Sequence, residues 1–237
     1  MAISELDLPI GVIAHSSADP QRQAELMADN VAGALAYAVQ THGIASLVVS
    51  GGRSPITFFK ELSTRDLNWS KVQISLADER WVPATDPASN EGLVRCHLLQ
   101  NAASEARLIG LYQPAGSLAQ AAVLADQMLE QLQRPIDVLV LGMGDDGHTA
   151  SLFPGNLNLA HALRQDCPER CLPMQAPAEP QARLTMTYPL LACARMQCLA
   201  IQGADKLDTL RAALAADPLQ MPVRAFLHSP LEIYWCP

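Results

Sequence analysis

The residues best suited to chemistry lie in the segment VLVLGMGDDGHTASLFPG, at positions 138–155. His148 follows a run of glycines, and imidazole is the side chain whose ordinary pKa lies nearest neutrality, so it can take up a proton and return it. Asp146 stands two residues earlier, where its carboxylate could orient the imidazole ring or hold the glycine loop together. The pattern indicates proton transfer, with His148 as the catalytic group.

The same segment contains the glycine spacing of a dinucleotide-binding loop, at Gly142, Gly144 and Gly147. Two adjacent carboxylates within the loop would repel a pyrophosphate, however. A proline and a glycine also interrupt the chain soon after His148, which leaves little room for the helix whose N-terminus would hold the pyrophosphate. We therefore expect no nucleotide cofactor here.

A second segment, SGGRSP at positions 50–55, could bind an anion. Gly51 and Gly52 precede a predicted helix, so backbone N–H groups and the helix dipole could face a phosphate. The hydroxyls of Ser50 and Ser54 could add hydrogen bonds. A simple strand-to-helix turn would also explain this pattern.

Two cations follow other predicted strands. Arg80, in DERWVP, could grip a phosphate or carboxylate in a fork of hydrogen bonds, whereas we expect Asp78 and Glu79 to form internal ion pairs. Lys206, in QGADK, lies near the start of a predicted helix, where a bound anion would explain a positive charge. Viewed in isolation, it could equally be a solvated lysine.

The remaining sequence alternates between predicted strands and helices. This alternation predicts an α/β fold with a doubly wound, mostly parallel, Rossmann-like sheet and helices on both faces. In such sheets ligands bind outside the carboxyl ends of the strands, where the residues above lie. The predicted strands are IGVIAHSS, IASLVVSGG, VQISLADERWVP, RLIGLY, IDVLVLGMG, MQCLAIQG and LEIYWC, and the main predicted helices are PQRQAELMADNVAGALAYAVQTHG, Ser54–Leu62, ASNEGLVRCHLLQN, SLAQAAVLADQMLEQLQ and ADKLDTLRAALAAD.

Composition limits the possible functions. The 237 residues are predicted to form a single domain, residues 1–237, and 49% hydrophobic with 17% charged residues is typical of a soluble globular protein. A net charge of −8 argues against nonspecific nucleic-acid binding. No apolar run is long enough to cross a membrane, and the N-terminus does not resemble a secretory signal, so we expect a cytoplasmic protein.

The six cysteines do not predict a metal site. Cys167 and Cys171, like Cys193 and Cys198, lack the two-residue spacing typical of structural zinc. We expect reduced, mostly buried thiols, with no metal and no cofactor.

Four segments together resemble the 6-phosphogluconolactonase family, within the glucosamine/galactosamine-6-phosphate isomerase superfamily. SGGRSP is similar to the family's SGGxTP, LADERWVP to DERxVP, LGMGDDGHTASLFPG to GxGxDGHTASLFPG, and RLTMT to RITLT. The matches fall in order from about Val48 to Lys206, and PVRAFLHSPLEIYW resembles the family's closing helix and strand. Ser54 replaces the family's threonine but keeps the hydroxyl, and the extra cation Arg53 has no assigned role.

The resemblance implies hydrolysis of 6-phosphoglucono-δ-lactone to 6-phosphogluconate, the second step of the oxidative pentose phosphate pathway, without a cofactor. His148 would activate water, Asp146 would position His148, and backbone N–H groups near Gly144 would hold the oxyanion. The expected phosphate anchors are Arg80, Lys206 and the loop Ser50–Ser54, with Arg183 of RLTMT as a further anion contact.

Two alternatives remain open at this point. One is a glucosamine-6-phosphate deaminase/isomerase, whose DEY and FNEPG segments read DER and SLFPG here. The other is a sugar-phosphate-binding module without catalysis. The expected partner is a small sugar-phosphate lactone, and we expect no nucleic acid, no membrane, and a monomer or homodimer.

Overall fold

A computed structural model describes residues 3–237 as ten strands and seven α-helices, with short 3₁₀ turns between them. The strands are β1 (Val12–Ser16), β2 (Ala45–Val49), β3 (Val72–Leu76), β4 (Asp78–Arg80), β5 (Arg107–Ile109), β6 (Val138–Leu141), β7 (Cys171–Gln175), β8 (Ala182–Met186), β9 (Met196–Gln202) and β10 (Leu231–Cys236). The helices are α1 (Pro20–His42), α2 (Ile56–Ser63), α3 (Asn90–His97), α4 (Leu118–Met128), α5 (Leu159–Ala162), α6 (Tyr188–Ala192) and α7 (Ala204–Ala215).

Seven strands form one parallel sheet in the order β1-β10-β9-β6-β2-β3-β5. The chain moves outward in one direction from β2 to β3 and β5, and in the other from β6 to β9 and β10. Right-handed crossovers that run in opposite directions place their helices on opposite faces of the sheet. The α/β class and the doubly wound, mostly parallel sheet are therefore confirmed.

The longest helix, α1, shows why the predicted boundaries hold. The Asp19 side chain accepts a hydrogen bond from the Arg22 N–H at 2.8 Å, and Pro20 occupies the first turn, where its missing N–H costs nothing. Gly43 ends the helix with φ of 75°, a conformation that glycine adopts without strain, and its N–H bonds to the Val39 carbonyl. Buried residues of this helix, including Val31 and Leu35, pack into the core.

One predicted strand is wrong in its extent. The segment VQISLADERWVP is divided: β3 ends at Leu76 in the parallel sheet, and β4 enters a separate antiparallel sheet. In this second sheet β8 lies between β4 and β7. The hairpin of β7 and β8 and its pairing with β4 were not predicted, and they carry two arginines toward the same region as the parallel strand ends.

Within residues 3–237, no helix combines the length and the apolar character needed to cross a bilayer.

Candidate active site

A cavity of about 430 Å³ lies at the carboxyl ends of the central strands. The chain reverses its direction of winding between β6 and β2, and the loops that follow these strands diverge there, which is where doubly wound sheets form ligand crevices. All the predicted site residues except Asp146 line this cavity: Ser50, Gly51, Gly52, Ser54, Arg80, Gly144, His148, Arg183 and Lys206.

Asp146 lies directly behind His148. Its Oδ1 is 2.5 Å from His148 Nδ1 and also accepts the His148 backbone N–H at 3.0 Å, so it both orients the ring and holds the loop. Burial alone would raise the pKa of Asp146, but the two hydrogen bonds from His148 outweigh it and keep this pKa below its ordinary value. An ionised Asp146 favours the proton on Nδ1, which leaves Nε2 of His148 free to accept a proton.

Gly144 gives the imidazole the space it occupies. A Cβ at this position would lie 2.1 Å from His148 Nδ1 and 2.8 Å from Asp146 Oδ1. The Gly144 N–H donates to the His148 carbonyl at 2.9 Å, and the Gly147 N–H donates to the Gly144 carbonyl. The Gly144 N–H is therefore occupied in closing the loop and is not free for an oxyanion.

Phe153, which the sequence analysis did not single out, lies near both His148 and Arg183. Its ring packs against His148 with centroids 4.7 Å apart, and the Arg183 guanidinium lies 5.9 Å from its centroid. The benzyl group thus restrains the imidazole on one side and supports a cation on the other. Only the family-like LFPG segment could have drawn attention to it.

Arg80 and Arg183 lie opposite each other on β4 and β8. Like charges that face each other across a strand pair repel. Arg183 is 9% exposed, its Nε donates to the Pro180 carbonyl at 2.8 Å, and both burial and the Arg80 charge lower the pKa of its guanidinium. The Arg80 Nη1 donates to the Ala88 carbonyl, whereas its buried Nε has no partner within the described residues. An anion in the cavity would relieve this repulsion.

The loop Ser50–Ser54 lies on the same wall and leads to the eight-residue helix α2. The buried Ser50 hydroxyl makes no hydrogen bond within residues 3–237. At Gly51 a Cβ would lie 1.9 Å from the Asn90 side-chain oxygen Oδ1, so this glycine leaves room for Asn90, whereas Gly52 has φ of 95°, a backbone conformation that favours glycine. Arg53 is exposed and does not line the cavity.

The expected ion pairs of Asp78 and Glu79 are wrong. Asp78 Oδ2 accepts the Ser151 hydroxyl at 2.5 Å, and no cation lies within ion-pair distance of either carboxylate in the described part of the chain. Glu79 is fully buried and accepts the N–H groups of Arg80, Asn90 and Glu91 at 2.7 Å each. It therefore caps the N-terminus of α3, because the first N–H groups of a helix have no partner inside it.

Lys206 lies on the wall formed by the glycine loop. Its Nζ donates to the Met143 carbonyl at 2.7 Å and to Asp145 Oδ1 at 2.5 Å. The Asp145 side chain is 90% exposed, so a ligand could displace it from the ammonium at small cost.

The chain is similar to known proteins in both sequence and structure. The family model for glucosamine-6-phosphate isomerases/6-phosphogluconolactonase matches residues 18–235. A 6-phosphogluconolactonase from Pseudomonas aeruginosa is 57% identical over 238 residues, covering 100% of both chains. A 6-phosphogluconolactonase from Rhizobium meliloti is 45% identical and covers 94% of this chain and 98% of its own. The crystal structure of a 6-phosphogluconolactonase from Shewanella baltica superposes with a TM-score of 0.93 at 39% identity, over 97% of this chain and 100% of that one.

Proposed function

Because the chain belongs to the family of glucosamine-6-phosphate isomerases and 6-phosphogluconolactonases, we infer that it is an enzyme that hydrolyses 6-phospho-D-glucono-1,5-lactone to 6-phospho-D-gluconate. The observation that supports this most strongly is that one cavity is lined by His148, whose ring is held by Asp146 from behind, and by two facing arginines. The His–Asp pair can move a proton at neutral pH, and the two arginines require an anion to offset their repulsion.

In the proposed mechanism His148 Nε2 takes a proton from a water molecule as the water oxygen attacks the lactone carbonyl carbon. The resulting tetrahedral intermediate carries a negative oxygen. When it collapses, the bond from this carbon to the ring oxygen breaks, and His148 returns the proton to the departing ring oxygen. The net change is the addition of one water, and His148 ends in its starting state. Asp146 holds the required ring orientation and stabilises the imidazolium between the two transfers.

The oxyanion would be held by backbone N–H groups of the glycine loop, residues 142–147. The Gly144 and Gly147 N–H groups are already in use within this loop, so the donors must be among its other members. We assign Gly144 the separate task of leaving room for the imidazole beside the substrate.

The 6-phosphate would lie between Arg80 and Arg183, with the Arg80 Nε and the Ser50 hydroxyl, which have no partner in the described part of the chain, as donors. The Gly51–Gly52 backbone and the Ser54 hydroxyl complete this side. Lys206 would join the substrate by exchanging Asp145 for the ligand. Anchoring the phosphate fixes the carbonyl relative to His148, and this kind of positioning lowers the barrier for the reaction.

We propose that the enzyme works in the cytoplasm as a monomer or homodimer. The net charge of −8 favours a small anionic substrate held by local cations over nucleic acid, which needs an extended basic surface.

The test is the decay of freshly generated 6-phosphoglucono-δ-lactone, corrected for spontaneous hydrolysis, with unphosphorylated gluconolactone and glucosamine 6-phosphate as comparison substrates. We expect fast decay of the phosphorylated lactone, slow decay of the unphosphorylated one and no ammonia release from the amino sugar. Ammonia release without lactone hydrolysis would identify a deaminase. Binding of sugar phosphates without any turnover would identify a binding module.

A further inference from the structure

Away from the active-site cavity, one cluster combines three metal-ligating side chains of different kinds. His161, on α5, and Glu169, just before β7, are joined at 2.8 Å between Nε2 and Oε2. Cys167 Sγ lies 3.3 Å from the same Glu169 oxygen. The three ligand atoms all lie within 4.8 Å of one another, and none of the three residues lines the active-site cavity.

We propose that His161, Cys167 and Glu169 bind a divalent transition-metal cation such as Zn²⁺, and that each residue supplies one ligand atom.

The spacing of the three atoms fits this kind of ion. Zinc binds sulfur at about 2.3 Å and imidazole nitrogen or carboxylate oxygen at about 2.1 Å, so in a tetrahedral site a nitrogen–oxygen pair lies about 3.4 Å apart and a sulfur–oxygen pair about 3.6 Å apart. The observed sulfur–oxygen distance of 3.3 Å is about 0.3 Å shorter than the tetrahedral value, and the nitrogen–oxygen distance of 2.8 Å needs to open by about half an ångström. Side-chain rotation alone can provide this.

The charges of the cluster also fit. The Cys167 thiol would release its proton to solvent on binding, because thiolate is the ligating form. One thiolate and one carboxylate then neutralise a divalent ion, while the neutral imidazole adds a third bond. Thiolate and imidazole favour Zn²⁺ and Co²⁺ over Mg²⁺ and Ca²⁺, which prefer oxygen ligands.

The backbone around the ligands is fixed. The Cys167 N–H donates to the Arg164 carbonyl at 3.2 Å, and the Thr187 hydroxyl donates to the Glu169 carbonyl at 2.7 Å. A surface hollow of about 440 Å³ adjoins Cys167 and Glu169. Water from this hollow would supply the fourth ligand, as in zinc sites with three protein ligands.

The experiment is a Co²⁺ titration of the full-length, untagged protein under reducing conditions, followed by the thiolate-to-cobalt absorption band and by its displacement with Zn²⁺. We expect one Co²⁺ per chain, loss of the band in Cys167→Ser and at least tenfold weaker binding in Glu169→Gln. Cys193→Ser is the matched control, because Cys193 lines the same hollow without belonging to the cluster, and it should keep the band.

Absence of the band in the wild-type protein would overturn the proposal, as would its survival in Cys167→Ser or its loss in Cys193→Ser. If Cys167→Ser does not fold, His161→Asn replaces it, since the His161 side chain is 39% exposed and asparagine keeps a polar side chain there. This variant must also bind Co²⁺ at least tenfold more weakly, and unchanged affinity would contradict the assignment.

Discussion

At the scale of single residues, the site depends on how closely His148 packs against its neighbours. Asp146 bonds to one ring nitrogen, the Phe153 ring packs at a tilt against the imidazole, and Gly144 has no side chain to compete for the space of the ring. These contacts leave Nε2 as the one ring nitrogen available to substrate. The imidazole is thus oriented before substrate binds, which is the condition for efficient proton transfer.

The first prediction concerns Gly144→Ala. Its methyl group would overlap His148 Nδ1 and push the imidazole away by about 1 Å, a displacement that can cost about 100-fold in rate. Because the atoms it meets belong to side chains, we expect the protein to fold, with kcat reduced about 100-fold. Steady-state kinetics on the phosphorylated lactone checks this.

The control for this variant is Gly33→Ala. Gly33 is exposed within α1 and a Cβ there meets nothing within 4 Å, so kcat should not change. A wild-type kcat in Gly144→Ala would mean that His148 is not held as we describe.

The second prediction concerns the phosphate anchor. Arg183→Met removes a charged donor and keeps an apolar side chain of similar length against Phe153. Hydrogen bonds to charged groups contribute about 1.5–3 kcal/mol, so kcat/KM for the phosphorylated lactone should fall about 10- to 100-fold. Hydrolysis of unphosphorylated gluconolactone should hardly change.

The matched control is Arg211→Met, which removes an exposed arginine of α7 whose one ion pair within residues 3–237 is with Asp208. If Arg183→Met lowered both lactone activities equally, Arg183 would be supporting the fold of the site and not the phosphate.

At the scale of elements, the short strand β4 links the two sheets to α3. Arg80 faces Arg183 on β8, and the neighbouring Glu79 turns the other way to cap α3, which carries Asn90 to the cavity wall. Burial raises the pKa of Glu79 to about 7, although three backbone N–H groups donate to its carboxylate and oppose this rise. A single buried carboxyl with a raised pKa therefore lies next to a residue of the cavity wall.

The third prediction follows from Glu79. Its folded pKa lies above the ordinary value of 4.5, so between these values the native state binds more protons than the unfolded state. The contribution of Glu79 to stability is complete below the lower value and is lost as the pH rises through about 7. The free energy of unfolding should fall from about pH 5 to pH 8 by an amount on the order of 3 kcal/mol that is missing in Glu79→Gln.

Urea unfolding of both proteins at the two pH values measures this difference. Glu105→Gln, which changes an exposed carboxyl, should keep the wild-type dependence. An equal pH dependence in Glu79→Gln and the wild type would show that Glu79 does not titrate in this window.

The elements also show which parts of the fold were predictable. The parallel strands have continuous apolar sequences and α1 has a clear cap at each end, so local pattern was sufficient for both. The second sheet was missed because β4 is the polar segment DER and β7 contains Pro173, which edge strands tolerate but which weakens any strand prediction. The pairing of β4 with β8 joins positions about 100 residues apart, such as Arg80 and Arg183, and no local pattern encodes that.

More of the candidate site than of the second sheet could be predicted from the sequence, because the site residues follow parallel strands whose carboxyl ends must meet. The loops after β2 and β6 and the cation Lys206 come together on that ground alone. Phe153 and the hydrogen bond between Asp78 and Ser151 were not predicted, since a packed ring and a buried hydroxyl look like ordinary core residues in sequence.

At the scale of the whole molecule, the winding of the chain decides where the cavity forms. Strands β2 and β6 are neighbours in the sheet although their register partners, such as Leu47 and Val138, lie 91 positions apart in the chain. The active-site loops therefore come together only when the distant parts of the chain assemble. We expect residues 1–237 to fold as a single domain.

The fourth prediction tests this expectation with two buried reporters. Trp69 precedes β3, and Trp235 lies in β10 on the other side of the reversal point. Variants that keep only one of these tryptophans, with phenylalanine at the other tryptophan positions, should each unfold in one transition. Because each variant has its own stability, its unfolding is followed both by tryptophan fluorescence and by far-ultraviolet circular dichroism. The midpoints from the two probes should coincide within each variant. Separate midpoints would indicate two folding units.

The most direct test of the central claim is the rate of 6-phosphoglucono-δ-lactone hydrolysis by His148→Gln at neutral pH, with the exposed His42→Gln as the control. We predict that kcat falls about 100- to 10,000-fold in His148→Gln, the usual contribution of general acid–base catalysis, and that His42→Gln retains wild-type turnover. Wild-type turnover by a correctly folded His148→Gln would contradict the assignment of His148 as the group that activates water.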